Sequence, residues 1–240
     1  MKVKIGNYRL LQKVMLLLIA VVAAIIMYAA FVLPSASVLL ENEMQVPMRI
    51  YTADGGLIAE YGEKHRLPVK YVDIPLAMKK AIIAAEDHRF YQHHGVDFIS
   101  IVRAVKELLL TGRKSQGAST ITMQVARNFF LSTEKTYARK FNEILLSFKI
   151  ELLLTKEQIL ELYLNKIFLG QRAYGIKAAA RNYYGKDLDQ IGLAQFAMLA
   201  GLPKAPSSNN PISNPEKAIS RRNYVLVNML DLDYISKDDY

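Results

Sequence analysis

From residue 14 to residue 33 the chain carries no charge, and Tyr28 supplies the one polar group in a run of Val, Leu, Ile, Met, Ala and Phe. A helix rising about 1.5 Å per residue crosses the ~30 Å hydrocarbon core of a bilayer in about twenty residues, so this run predicts a transmembrane helix over residues 14–34. Lys2, Lys4, Arg9 and Lys13 precede it with no acid among them, whereas Glu41, Glu43 and Arg49 follow. Loops rich in Lys and Arg stay in the cytoplasm, which puts residues 1–13 inside and the remainder outside. The run exceeds the roughly 7–15-residue core of a cleaved signal peptide, so Ser35-Ala36-Ser37 is read as part of a retained anchor's flank.

Beyond the span the pattern changes twice. Around residues 48–61 two short β-prone runs flank Asp54-Gly55-Gly56, which predicts a hairpin within a linker region, 35–74. After Pro75 the period becomes helical. Helices are expected over 76–85, then from Asp97 with Phe98, Ile101, Val102, Val105 and Leu109 on one stripe, then over 119–130. A long helix over 136–154 places Phe141, Leu145, Phe148 and Leu152 at core spacing. Thr155-x-x-Gln158 forms a capping box for the next helix. Gly185 ends a helix begun near Tyr174, Asp189 or Gln190 starts one ending at Gly201, and Pro215 opens the last. Residues 75–232 are thus a mainly α domain. Residues 112–117 are a flexible basic loop, and 202–215, with four of the chain's eight prolines, a surface loop.

Composition narrows the chemistry. The 240 residues include no cysteine, which excludes disulfides, thiol nucleophiles and iron–sulfur sites. Four of the basic residues lie in the tail, leaving an excess of +5 from the net +9 on the external part. That balance suits anionic lipid, phosphate or a polyanionic substrate. Nucleic acid is not expected, since no recognition motif is present.

Four segments carry polar residues that a purely structural helix does not need. In EDHRFYQHHGVD, Glu86 emerges from the apolar run AMKKAIIAA, where partial desolvation raises a carboxyl toward the range of a general base. His88, His93 and His94 with Asp87 and Asp97 lack the spacing of a zinc site, so no metal ligand is assigned. GASTITMQVARNFFL feeds Ser119, Thr120, Gln124 and Arg127 into a helix start, an anion-binding corner or an ordinary cap. RKFNEILLSFKIE sets Arg139 and Lys140 four and three residues before Glu143, with Ser147 continuing the face, an arrangement also found in plain salt-bridge stripes. KEQILELYLNKIFLG carries Glu161 and Asn165 opposite its apolar positions. Ser132-Thr133-Glu134-Lys135 fits the Ser-x-x-Lys of penicillin-binding acyl-enzymes, but no Lys-Thr-Gly follows, and no transpeptidase site is expected in this chain.

These segments, in this order behind one anchor, resemble the family 51 peptidoglycan glycosyltransferases, the N-terminal half of class A penicillin-binding proteins, and within them the 1a-type subgroup. The resemblance runs from RIYTADGGLIAEYGEKHR through the four segments to AAARNYYGK, LAGLPKAPSSNNP and RRNYVLVNML. Met123 departs from it, standing where the family usually has Gln. The resemblance implies a lysozyme-like, two-lobed, mainly α domain with a small N-terminal hairpin and one transmembrane helix, in the bacterial cytoplasmic membrane with the catalytic domain on the periplasmic side. It implies polymerisation of lipid II into β-1,4 glycan with inversion and release of undecaprenyl pyrophosphate. Glu86 then matches the general base and Glu143 the second essential carboxylate. Substrate binding falls to Asp87, Phe90 and His93, to Ser119, Thr120, Gln124 and Arg127, and to Arg139, Lys140 and Asn165. The donor mimic moenomycin is expected to bind the corner of Arg127, Arg139 and Lys140. A divalent metal, Mg2+ or Mn2+, is a family-level expectation; no organic cofactor is. Expected partners are lipid II, the growing glycan strand, the bilayer and other cell-wall synthesis proteins, and residues 233–240 are expected to begin a linker to a C-terminal part. The alternatives are a membrane-bound muramidase or lytic transglycosylase on the same fold, and a noncatalytic scaffold holding lipid or wall polymer.

Overall fold

In the computed structural model the described residues are 3–41, 48–61, 65–112, 117–132, 134 and 136–240. Lys2, Glu43, most of the loop at 112–117, and Thr133 and Lys135 of the Ser-x-x-Lys match lie outside them. The N-terminal helix α1 (Val3–Phe31) carries an apolar window, Leu10–Phe31, long enough to cross a membrane and almost wholly exposed; near its end Ala29 packs partly buried against the core. It stops just before Pro34, which disfavours helical backbone at the preceding residue. A short helix, α2 (Val38–Glu41), follows, and Leu33, Ala36 and Leu39 around it are buried in the main core. The hairpin joins β1 (Met48–Tyr51) to β2 (Leu57–Tyr61) in antiparallel register. Its turn is tied by Thr52, whose hydroxyl accepts from the Gly56 amide at 2.7 Å, with Gly55 at φ 87° where a side chain is disfavoured.

The body is two helical groups. One packs α3 (Leu76–Glu86) against α9 (Leu193–Gly201) and α10 (Pro215–Asp231). The other packs α5 (Ile121–Phe130) against α6 (Tyr137–Leu153) and α7 (Lys156–Lys166). Between them lies α8 (Ile176–Tyr184), whose buried Ala178, Ala179 and Ala180 permit close approach. A parallel pair not anticipated from the pattern, β3 (His65–Arg66) with β4 (Ala173–Tyr174), ties residues more than a hundred apart.

Local signals predict the element ends well. Asp97, Thr120, Thr136 and Thr155 each accept N-cap bonds, Thr155 with Gln158 in a full capping box, and Gly185 closes α8 in the left-handed region. Facing is another matter. On α6 the buried stripe is Glu143, Leu146, Ser147 and Ile150, whereas Phe141 and Leu152 are exposed, so the expected core stripe is rotated by about one position. Most of the apolar stripe of α4 (Phe98–Thr111) points outward: Val102 is 68% and Leu109 80% exposed, Ile101 is only partly covered, and no α4 residue is buried. Tyr234 and Ile235, expected in a linker, pack partly buried on the core.

Candidate active site

A cleft of about 480 Å³ opens between the two helical groups. Its walls come from the end of α3, the start of α4, residues 117–120, α5, the loop after α9, and α10. Glu86 is the last residue of α3, following buried Ala81, Ile82, Ile83 and Ala84, so the apolar face that builds the core carries this carboxylate to the cleft edge. Gln124 Nε2 donates to Glu86 Oε2 at 2.8 Å, and Arg127 donates to Gln124 Oε1 at 3.3 Å. Burial pushes the Glu86 carboxyl above its ordinary range, against the Gln124 bond and the fields of Arg221, Arg127 and Lys204. The carboxylate is thus held in low dielectric beside three cations without a direct ion pair of its own among the described residues.

Asp87, adjacent in sequence, leaves the helix and turns into structure. It accepts from the Ile121 amide at the start of α5 at 3.0 Å and from His93 Nε2 at 3.0–3.1 Å. Thr120 caps α5 and donates to the Gly95 carbonyl. Asp97 binds the Ser100 hydroxyl and amide and lies 3.2 Å from Arg89. His88 stands on the cleft wall, 3.3 Å from Arg103; burial, then the Arg103 charge, lowers its pKa.

Five expected substrate contacts lie outside the cleft lining: Arg139 and Lys140, which are held on Glu143, and Phe90, His93 and Asn165. Phe90 is fully buried and stacks edge-on with Tyr91, so it packs the core. His93 is buried on Asp87. Asn165 is buried too, accepting from the Val69 amide at 2.9 Å and donating to its carbonyl at 2.8 Å, while its neighbour one turn earlier, Glu161, accepts from the Tyr71 amide at 2.6 Å. Those bonds pin residues 69–71 to α7. Met123 is likewise enclosed.

Glu143 does not face the cleft with Glu86. It is 1% exposed, with Arg139 at 2.8 Å and Lys140 at 2.7 Å on its two oxygens. Lys140 also donates to Ser119 at 2.8 Å, and Ser119 lines the cleft, so Glu143 reaches the site through two intermediaries. No group of three metal-ligating side chains occurs among the described residues. The oxygens of Glu143 and Asp87 are already committed to cations and donors, so these residues do not fit a divalent ion.

The cleft's other wall was missed from the sequence. Arg221, Tyr224, Asn228 and Asp231 follow 3-4-3 spacing and present one polar face of α10, beside the buried stripe of Val225 and Met229; Lys204 joins them from the loop after α9. That spacing was a legible signal. Gly201 makes room for the Arg221 stem, since a Cβ there would sit 2.9 Å from Arg221 Cγ.

The transglycosylase family model matches residues 54–230. Penicillin-binding protein 1A of Escherichia coli (strain K12) is 56% identical over 208 residues, 87% of this chain and 24% of that protein. Penicillin-binding protein 1A of Pseudomonas aeruginosa is 50% identical over 214 residues, 89% of this chain and 26% of that protein. A crystal structure of penicillin-binding protein 1A from Haemophilus influenzae is 36% identical, covering 83% of this chain and 20% of that one, with a TM-score of 0.47. The chain therefore spans about a quarter of the length of these curated relatives. With the family model covering nearly all of the domain that builds the cleft, the chain belongs to the transglycosylase family.

Proposed function

We propose that this chain is a peptidoglycan glycosyltransferase that polymerises lipid II, with Glu86 as general base. The observation that carries the reading is a largely buried glutamate of raised pKa in a cleft also lined by Arg127, Lys204 and Arg221. The growing strand, held by its lipid pyrophosphate, is the donor, and the incoming lipid II the acceptor. Glu86 takes the proton from the acceptor's 4-hydroxyl as that oxygen forms its bond to the donor's anomeric carbon. The bond from that carbon to the pyrophosphate oxygen breaks on the opposite face, giving inversion. Negative charge accumulates on the departing pyrophosphate, where fixed cations in a partly water-excluded cleft lower the barrier. Arg127, Lys204 and Arg221 are suited to that task. Gln124 orients Glu86 through its amide N–H, and Ser119 offers a hydroxyl on the Lys140 side.

Glu143 acts indirectly in this scheme. It fixes Arg139 and Lys140, and Lys140 fixes Ser119. Membrane seating agrees with a substrate whose polyprenyl tail stays in the bilayer. The candidate span in α1 and the exposed apolar face of α4 both offer surface that water does not favour. We place the N-terminus in the cytoplasm and the cleft on the periplasmic side, from the basic residues ahead of the span. The test is incubation of the purified protein with labelled lipid II. Long, lysozyme-sensitive glycan supports the reading; no product, or shortening of preformed glycan, counts against it.

A further inference from the structure

The end of the anchor is docked on the body. Tyr28 Oη donates to Asn142 Oδ1 at 3.0 Å, and its ring lies 6.3 Å from that of Phe141. Farther along α6, Lys149 Nζ donates to the carbonyls of Ala29 at 2.8 Å and Leu33 at 3.1 Å. Ala29 lies in the last turn of α1, where carbonyls have no intrahelical donor, and Leu33 lies just past its end. The ammonium therefore satisfies otherwise orphaned acceptors and sits at the negative end of the helix dipole. Immediately beyond, Leu33, Ala36 and Leu39 enter the same core as Leu146 and Ile150 of α6. From Asn142 to Lys149 the seam runs along about 10 Å of α6, nearly two turns.

The same helix holds Arg139, Lys140 and Glu143 in its first two turns and, through Lys140 and Ser119, one wall of the cleft. We propose that the seam is a positioning device in which Lys149, binding the end of the anchor helix to α6, sets the height and tilt of the cleft over the bilayer and hence its use of membrane-tethered substrate. This rests on the reading that the substrate is lipid-linked. Lys149 is a positioning residue only: it lies outside the cleft lining. The physical need is plain, because a substrate whose pyrophosphate stands at a fixed depth can be met only by a cleft held at that depth. Misplacement of reacting groups by about 1 Å can cost up to about a hundredfold in rate.

The experiment compares the parent with Lys149→Met, which keeps the apolar stem and removes the donors, and with Lys149→Arg, which restores them. Each is assayed in vesicles on long-chain lipid II and in solution on a short-chain, water-soluble analogue. Lys149→Met is expected to lose about tenfold or more on the vesicle substrate while staying within about twofold on the soluble one, with Lys149→Arg recovering most of the loss. Equal losses on both substrates, or no loss on either, would overturn the proposal. A second readout needs no activity. The chain has no cysteine, so Tyr28→Cys with Asn142→Cys introduces a single reactive pair. A short bis-maleimide should bridge it in membranes when Lys149 is present and do so severalfold less when Lys149 is Met; absence of bridging in both, or equal bridging in both, refutes the seam. A parent inactive on both substrates would overturn the glycosyltransferase reading and the link to substrate use with it, whereas the cross-link still judges the seam.

Discussion

At the residue scale, the proposed chemistry rests on Glu86, a carboxylate whose ionised form burial disfavours. Glu86→Gln preserves size and the capacity to hydrogen-bond Gln124 but cannot accept a proton, so turnover should fall by about two to four decades while substrate binding survives. In the parent, the rate should fall on the acidic side as pH drops through the raised pKa of Glu86, because only the carboxylate can act as base. Stability should move the other way. An acid whose folded-state pKa is raised binds its proton more tightly in the native state, so its contribution to stability is fully present below the ordinary value of 4.5 and is lost as pH rises through the folded pKa. Glu86→Gln is therefore expected to melt at a higher temperature than the parent at pH 8, the margin closing as the pH approaches 4.5. Thermal denaturation across pH reads this directly, and a margin that widened toward acid would contradict the burial of the ionised group.

Among the elements, similar polar patterns on neighbouring helices serve different ends. Asn165 on α7 substitutes for a missing strand neighbour by pairing both backbone groups of Val69. Asn165→Leu should cost about 2–4 kcal/mol in urea unfolding, because it strands a buried donor and acceptor together. An effect confined to substrate affinity, with stability untouched, would restore the binding role first expected of it. On α4 the apolar stripe supports no core packing among the described residues. Val102→Asp with Leu109→Asp should accordingly leave the melting temperature nearly unchanged and reduce activity on vesicle-borne substrate more than on substrate in detergent. A large loss of stability would show that the stripe is covered within the protein.

For the molecule as a whole, five cationic residues around the site fall into two populations with separable consequences. Arg127, Lys204 and Arg221 line the cleft, whereas Arg139 and Lys140 neutralise a buried carboxylate. Replacing the first three with Ala should weaken binding of moenomycin or lipid II strongly with little change in folding. Replacing Arg139 and Lys140 strands Glu143, and breaking such buried pairs typically costs about 3–5 kcal/mol. Affinity measurements paired with unfolding curves distinguish these outcomes, and equal destabilisation by both sets would collapse the distinction.

What the sequence by itself determined was whatever depends on a few neighbouring residues. The N-terminal apolar helix, the succession of helices, the caps at Asp97, Thr120, Thr136 and Thr155, the hairpin at Gly55 and the emergence of Glu86 from an apolar helix all follow from composition and spacing within a turn or two. Tertiary structure alone decided which face of each helix is covered, because that depends on what else arrives. It turned α4 outward, rotated the buried stripe of α6 onto Glu143 and Ser147, and enclosed Phe90, His93 and Asn165. It also brought Arg221 and Lys204, more than a hundred residues downstream, into the field of Glu86. A helical period reports that two faces differ; only the packing of distant segments against one of them decides which becomes core, which stays exposed and which lines the cleft.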